Sequence, residues 1–202
     1  MQQLDRGKRL GRAYLILAVI GASLGTALDA IHTNFGATSY TSPAFAKAAL
    51  WVPLLFAFAY SAAIARPLLD RASRPAAWQA LLGVSLFIAA YWLSVAPIPW
   101  GARAAIIGGI FAVSWYVCDR TRAGVIVALI GAVCGPAVEV VLVGAGTFVH
   151  HETLALGIPG WLPFLYLTAG PGLGTLAQWL VTRGAIEYSE EPARAALAKE
   201  AR

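Results

Sequence analysis

Six apolar runs, each of membrane-crossing length, leave almost no chain for anything else. A spanning helix needs about 20 apolar residues, so six use about 120, and the chain has 202. The runs extend from Tyr14 to Ile31, Ala48 to Leu69, Trp78 to Val95, Ala104 to Cys118, Ala123 to Val149 and Trp161 to Val181. No connection between them is long enough for a soluble catalytic domain. Composition agrees: 59% of residues are hydrophobic and 12% charged, against about 45–50% and 25% in soluble domains. The expected fold is an all-α polytopic bundle of six transmembrane helices. It forms a single domain over 1–202, with the bundle at 12–183 and tails at 1–11 and 184–202.

Charge placement sets the expected topology. Arg6, Lys8, Arg9 and Arg12 precede the first run. Arg66, Arg71 and Arg74 follow the second, Arg120 and Arg122 the fourth, and Arg183, Arg194, Lys199 and Arg202 the sixth. Only Lys47 and Arg103 fall on the other side. The positive-inside bias puts both termini in the cytoplasm. Although the net charge is +5, small clusters separated by apolar runs make a topology signal and not a nucleic-acid stripe. The first run is too long for a signal peptide and lacks its cleavage pattern. Cys118 and Cys134 have no metal-binding spacing. The expected location is a bacterial cytoplasmic membrane, or the endoplasmic reticulum in a eukaryote.

Small residues recur at four-residue spacing in Gly21 and Gly25, Gly131 and Gly135, and Gly170 and Gly174. Such pairs let helices approach closely, either within the bundle or between copies in a homo-oligomer. Pro53, Pro136, Pro163 and Pro171 fall inside the runs, where proline removes a backbone bond and kinks a helix. Kinked neighbours leave gaps. The tail Pro192 to Arg202 reads as a solvated end or a short surface helix.

Two carboxylates lie within the runs. Asp29 comes 17 residues after Arg12, and Glu139 comes 17 after Arg122. Both are therefore expected at one depth, about 25 Å from the inner rim. An ionisable group there must face a cavity or a partner. His32, three residues after Asp29, shares its helix face. The alternative is that Asp29 and His32 reach the headgroup layer and only Glu139 is buried. Trp51, Pro53, Trp92, Trp115, Pro136, Pro163 and Tyr166 complete the expected wall of a central pocket. The carboxylates would favour a neutral lipid head bearing a hydroxyl and would repel a phosphate.

Other motifs say less. Gly21-Ala22-Ser23-Leu24-Gly25 matches the nucleophile-elbow pattern but lacks the strand–turn–helix setting it requires. His150, His151 and Glu152 are adjacent and do not converge as metal ligands. No catalytic set, metal site or cofactor is expected. Asp119-Arg120-Thr121-Arg122 forms a tight inner turn, read either as a local cap and ion pair or as a partner-docking element in which Asp119, Arg120 and Arg122 take part.

At these residues the chain resembles the insulin-induced gene (Insig) family. The blocks are Trp51-Val52-Pro53, Pro67-Leu68-Leu69-Asp70-Arg71, Trp115-Tyr116-Val117-Cys118-Asp119-Arg120-Thr121-Arg122-Ala123-Gly124 and Trp161-Leu162-Pro163, in family order over roughly 12 to 183. The resemblance implies a non-enzymatic lipid sensor. Animal Insigs bind oxysterols within the bundle, hold the Scap–SREBP complex in the endoplasmic reticulum and present a sterol-synthesis reductase for degradation. The aspartate matching Asp119 matters there for partner control. The expected function is thus binding of a diacylglycerol-like lipid or a sterol, with regulation of a membrane-protein partner. The alternative is a small proton-coupled transporter using Asp29 and Glu139.

Overall fold

A computed structural model describes residues 2–44 and 47–183, with side chains from residue 5 onward. Its helical rods are α1 (2–34), α2 (Val52–Leu69), α3 (Ala77–Ser94), α4 (Trp100–Asp119), α5 (Arg122–Gly144) and α6 (162–183). The first five are long and apolar enough to cross a membrane. The tail beyond 183, with the Pro192 to Arg202 segment, lies outside the described residues.

Glycine sets the helix spacing. A Cβ on Gly21 would stand 2.1 Å from the Phe56 carbonyl oxygen, and one on Gly170 would stand 2.7 Å from Ala128 Cα. Only glycine permits these approaches of α1 to α2 and of α6 to α5. A Cβ on Gly135 would stand 2.2 Å from the Tyr166 ring, and one on Gly174 3.4 Å from the Arg66 side chain. All three small-residue pairs thus pack inside the chain, which leaves a homo-oligomer to use other faces.

Helix irregularity differs from expectation. Pro53 and Pro163 occupy the first turns of α2 and α6, where the missing N–H has no intrahelical partner to lose. They start helices and do not kink them; Trp51-Val52-Pro53 and Trp161-Leu162-Pro163 are matching start signals. Pro136 is interior to α5 and buried. The wider turns are π-helical, at Gly21–Gly25, Trp115–Asp119 and Gly170–Gly174. Around the first, Ser23 and Thr26 hydroxyls donate to the carbonyls of Val19 (2.7 Å) and Ala22 (2.8 Å). In lipid a freed carbonyl needs such an internal donor.

α5 stops before the expected end. Gly146 takes a left-handed φ of +70°, and its N–H caps the Val143 carbonyl. The chain then forms β2 (Phe148–His150), antiparallel to β1 (Thr38–Tyr40), with Thr38 opposite His150 and Tyr40 opposite Phe148. The two-residue period turns Thr38, Phe148 and His150 into the molecule and leaves Ser39 and Val149 exposed. This ribbon covers one end of the bundle. The core beneath joins Leu17, Tyr60, Phe87, Tyr91, Ile107 and Trp161.

Candidate functional site: polar clusters at two depths

The ribbon supplies a partner to each of the two carboxylates on the apolar helices. The Tyr40 hydroxyl donates to Asp29 Oδ2 at 2.9 Å. Burial above all, then the adjoining Asp29 carboxylate, pushes the Tyr40 phenol well above its ordinary range, so it remains a donor. The Tyr166 hydroxyl donates to Glu139 Oε1 at 2.6 Å, and His150 Nε2 donates to Glu139 Oε2 at 2.8 Å. Tyr40 stands opposite Phe148 in the ribbon, and the Phe148 ring meets the His150 ring at 5.2 Å. One hydrogen-bonded group thus joins α1 to β1 and a second joins α5, β2 and α6, and the β1–β2 pairing sets them side by side.

His32 takes a separate role. Its Nε2 lies 2.7 Å from Ser94 Oγ, and the Ser94 hydroxyl donates to the Tyr91 carbonyl at 2.7 Å. That network assigns the His32 proton to Nε2. The ring stacks on Tyr91 at 5.2 Å and tilts against Trp161 at 5.5 Å. His32 is a satisfied core histidine. Asp29 is also buried (8% exposed).

The other expected wall residues scatter. Trp51 meets the Tyr40 ring edge at 5.7 Å and so borders the cluster. Trp92 is 52% exposed and packs on Phe35. Trp115 sits at the opposite end of the bundle, where its Nε1 donates to the Thr121 carbonyl at 3.1 Å. Two clefts stand out among the described residues, one at each end of the bundle. The first, of about 290 Å³, is lined by Phe35, Val95, Ile98, Arg103, Glu152 and Trp161 among others. The second, of about 130 Å³, is lined by Arg66, Ser73, Gln79, Cys118, Asp119 and Thr175 among others. Of the expected site residues only Asp119 lines either cleft. The expected central pocket is not one of them.

At the end of the bundle away from the ribbon the Asp119 motif closes a lock. Asp119 accepts from Arg66 Nη2 at 2.8 Å and from the Thr121 hydroxyl at 2.6 Å. Thr121 in turn caps α5 by accepting from the Gly124 N–H at 3.1 Å. A Cβ at position 124 would lie 1.6 Å from Asp119 Oδ2, which explains the glycine. Arg120 adopts φ +56° to turn the chain, and its guanidinium covers Tyr116 at 4.2 Å. The side chains of Arg66 and Asp119 are 2% and 1% exposed. The Asp119 side chain is therefore tied into an ion pair and the Thr121 cap, at the edge of the second cleft; Arg120 and Arg122 are exposed.

Sequence reasoning missed Tyr40 and Tyr91, and read Arg66 and Arg103 only as topology charges. The alternation in Thr38–Tyr40 and Phe148–His150 was the available signal for the first.

No protein-family model matches the chain, and no curated protein is similar to it. Solved structures are. The crystal structure of MvINS, a mycobacterial Insig homolog from Mycobacterium vanbaalenii, superimposes with a TM-score of 0.79 at 28% identity, over 85% of this chain and 95% of that one. A cross-linked trimer of MvINS matches with a TM-score of 0.78 over the same shares.

Proposed function

We propose that this chain, an Insig-like membrane protein, crosses the bilayer six times with both ends cytoplasmic and binds a neutral lipid without transforming it. The lipid is diacylglycerol-like or a sterol, its hydroxyl directed at the Asp29–Tyr40–Glu139–His150–Tyr166 cluster and its tails along α5 and α6.

One observation carries the reading. The most apolar window of α5 has mean hydropathy 2.4, yet only 11% of it is buried, and Glu139 with its hydroxyl partners stands on that helix. Lipid therefore runs beside a polar group that lies within the apolar span. A hydroxyl finds acceptors there, whereas a phosphate meets two carboxylates. His150 Nδ1, buried and without a partner, is a further acceptor for such a hydroxyl. The Ser23 hydroxyl is tied to its own helix, which supports a binding role over hydrolysis.

α5 connects the cluster to the Asp119 turn. In this proposal a lipid that favours one α5 tilt shifts the exposed Arg120 and Arg122, the surface offered to a membrane-protein partner. Assembly with copies of itself, as in the cross-linked MvINS trimer, belongs to the same reading.

The test is mass spectrometry of lipid that co-purifies in mild detergent. A neutral lipid bearing a free hydroxyl is expected, near one per chain, with retention cut by Glu139→Leu and by Tyr166→Phe. Equal retention in folded variants, or pH-driven flux in liposomes, would overturn it in favour of no site or of a transporter.

A further inference from the structure

We propose that the 290 Å³ cleft beside the ribbon is a second, separate site that binds a phosphate group, carried by a phospholipid headgroup or free in solution. Its lining combines apolar Phe35, Val95 and Ile98 with Trp161, the Arg103 guanidinium and the Glu152 carboxylate.

The argument rests on unmet donors. Trp161 is 1% exposed and its indole N–H has no partner. The Arg103 side chain is 10% exposed. Its Nη1 donates to the Ser94 carbonyl at 2.7 Å and its Nη2 to Glu152, while Nε has no partner. The guanidinium carbon stands 5.9 Å from the Trp161 ring centre, and both residues line the cleft. Buried donors left unpaired cost free energy, and neither group can accept. What completes them is an acceptor, and the arginine makes an anion the preferred one.

Glu152 shows which anion chemistry fits. Its carboxylate already occupies Nη2, yet the side chain is 42% exposed on a loop and can leave. A planar carboxylate reaches one edge of the guanidinium. A phosphate directs oxygens in several directions and can meet Arg103 and the indole N–H together. The cleft lies at the end of the bundle remote from the basic clusters, where the proposed topology puts outer headgroups. Its apolar lining suits the glycerol and first methylenes of a phospholipid. His151, the other titratable group on the rim, is held by Ser39 at 2.7 Å.

The experiment is native mass spectrometry of the full chain in detergent, titrated with dioleoyl phosphatidylglycerol, with dioleoylglycerol and with inorganic phosphate. Wild type should retain one phosphatidylglycerol. Trp161→Phe, which keeps the ring and removes the N–H, should weaken retention about fivefold, and Arg103→Gln at least about tenfold. Glu152→Gln should strengthen it. Dioleoylglycerol retention should be unchanged by Trp161→Phe, which separates this site from the neutral-lipid seat. Displacement by millimolar inorganic phosphate would show that the site takes phosphate from either source; persistence would assign it to the headgroup. Phosphatidylglycerol retention that is indifferent to Trp161→Phe and to Glu152→Gln, in variants melting like wild type, overturns the proposal whatever Arg103→Gln does.

Discussion

Arg66 illustrates what a charge must have to stay inside this molecule. Its guanidinium reaches Asp119 at 2.8 Å, Asp70 at 3.0 Å and the Ser73 hydroxyl at 3.0 Å. Removing it strands Asp119 without its counter-ion. Arg66→Leu should cost about 3–5 kcal/mol, read as a fall in the unfolding midpoint of detergent-solubilised protein, while Arg66→Lys should cost less. Asp70 adds a pH dependence. Burial works to raise its pKa, but hydrogen bonds from the Ser73 side chain and the Ala72 and Ser73 N–H groups, with Arg66, outweigh it and bring it to about 2. An unfolded aspartate titrates near 3.9. The stabilisation is therefore complete above about pH 4 and disappears as pH falls toward 2. Unfolding midpoints across that window should drop in wild type and drop less in Asp70→Asn.

At the scale of helices, the contrast between glycines is the informative one. Gly170 lies on Ala128, with a Cβ position 2.8 Å from the Ala128 nitrogen. Gly109 has nothing within 4 Å of its Cβ position. Gly170→Val must push α6 off α5 and should cost at least about 1–3 kcal/mol. Gly109→Ala relieves a helix-interior glycine and should be neutral or stabilise by up to about 1 kcal/mol. Thermal unfolding of the two variants in one detergent separates them; equal effects would mean that α5 and α6 do not pack as described. The span limits read from hydropathy agree with the helices to within a few residues except at two ends. α1 is helical from Gln2, well ahead of Tyr14, because charge bars Arg6 to Arg12 from hydrocarbon but not from a helix. The end of α5 was read too far because Phe148 and Val149 are as apolar in a strand as in a helix, and hydropathy carries no phase over so short a stretch.

For the molecule as a whole, the proposed topology makes a simple prediction. Lysines occur at positions 8, 47 and 199. A membrane-impermeant amine reagent applied to intact cells should label Lys47 and reach Lys8 and Lys199 only after permeabilisation. Labelling of Lys8 from outside would invert the topology. That the chain is an apolar helical membrane protein was legible without coordinates, because hydropathy and basic clusters act residue by residue and need no partner. The Insig blocks were equally visible, and Gly124 against Asp119 explains one of them. The expectation of one depth for Asp29 and Glu139 came from counting, since helical rise is constant. What counting could not supply was their company. Tyr40 and His150 lie on short strands far apart in the chain, the expected central wall residues Trp92 and Trp115 point elsewhere, and Asp119 turned out to be locked to Arg66. Such pairings depend on how rods rotate about their axes and on which loops fold over their ends, and only the summed packing of the whole bundle decides that.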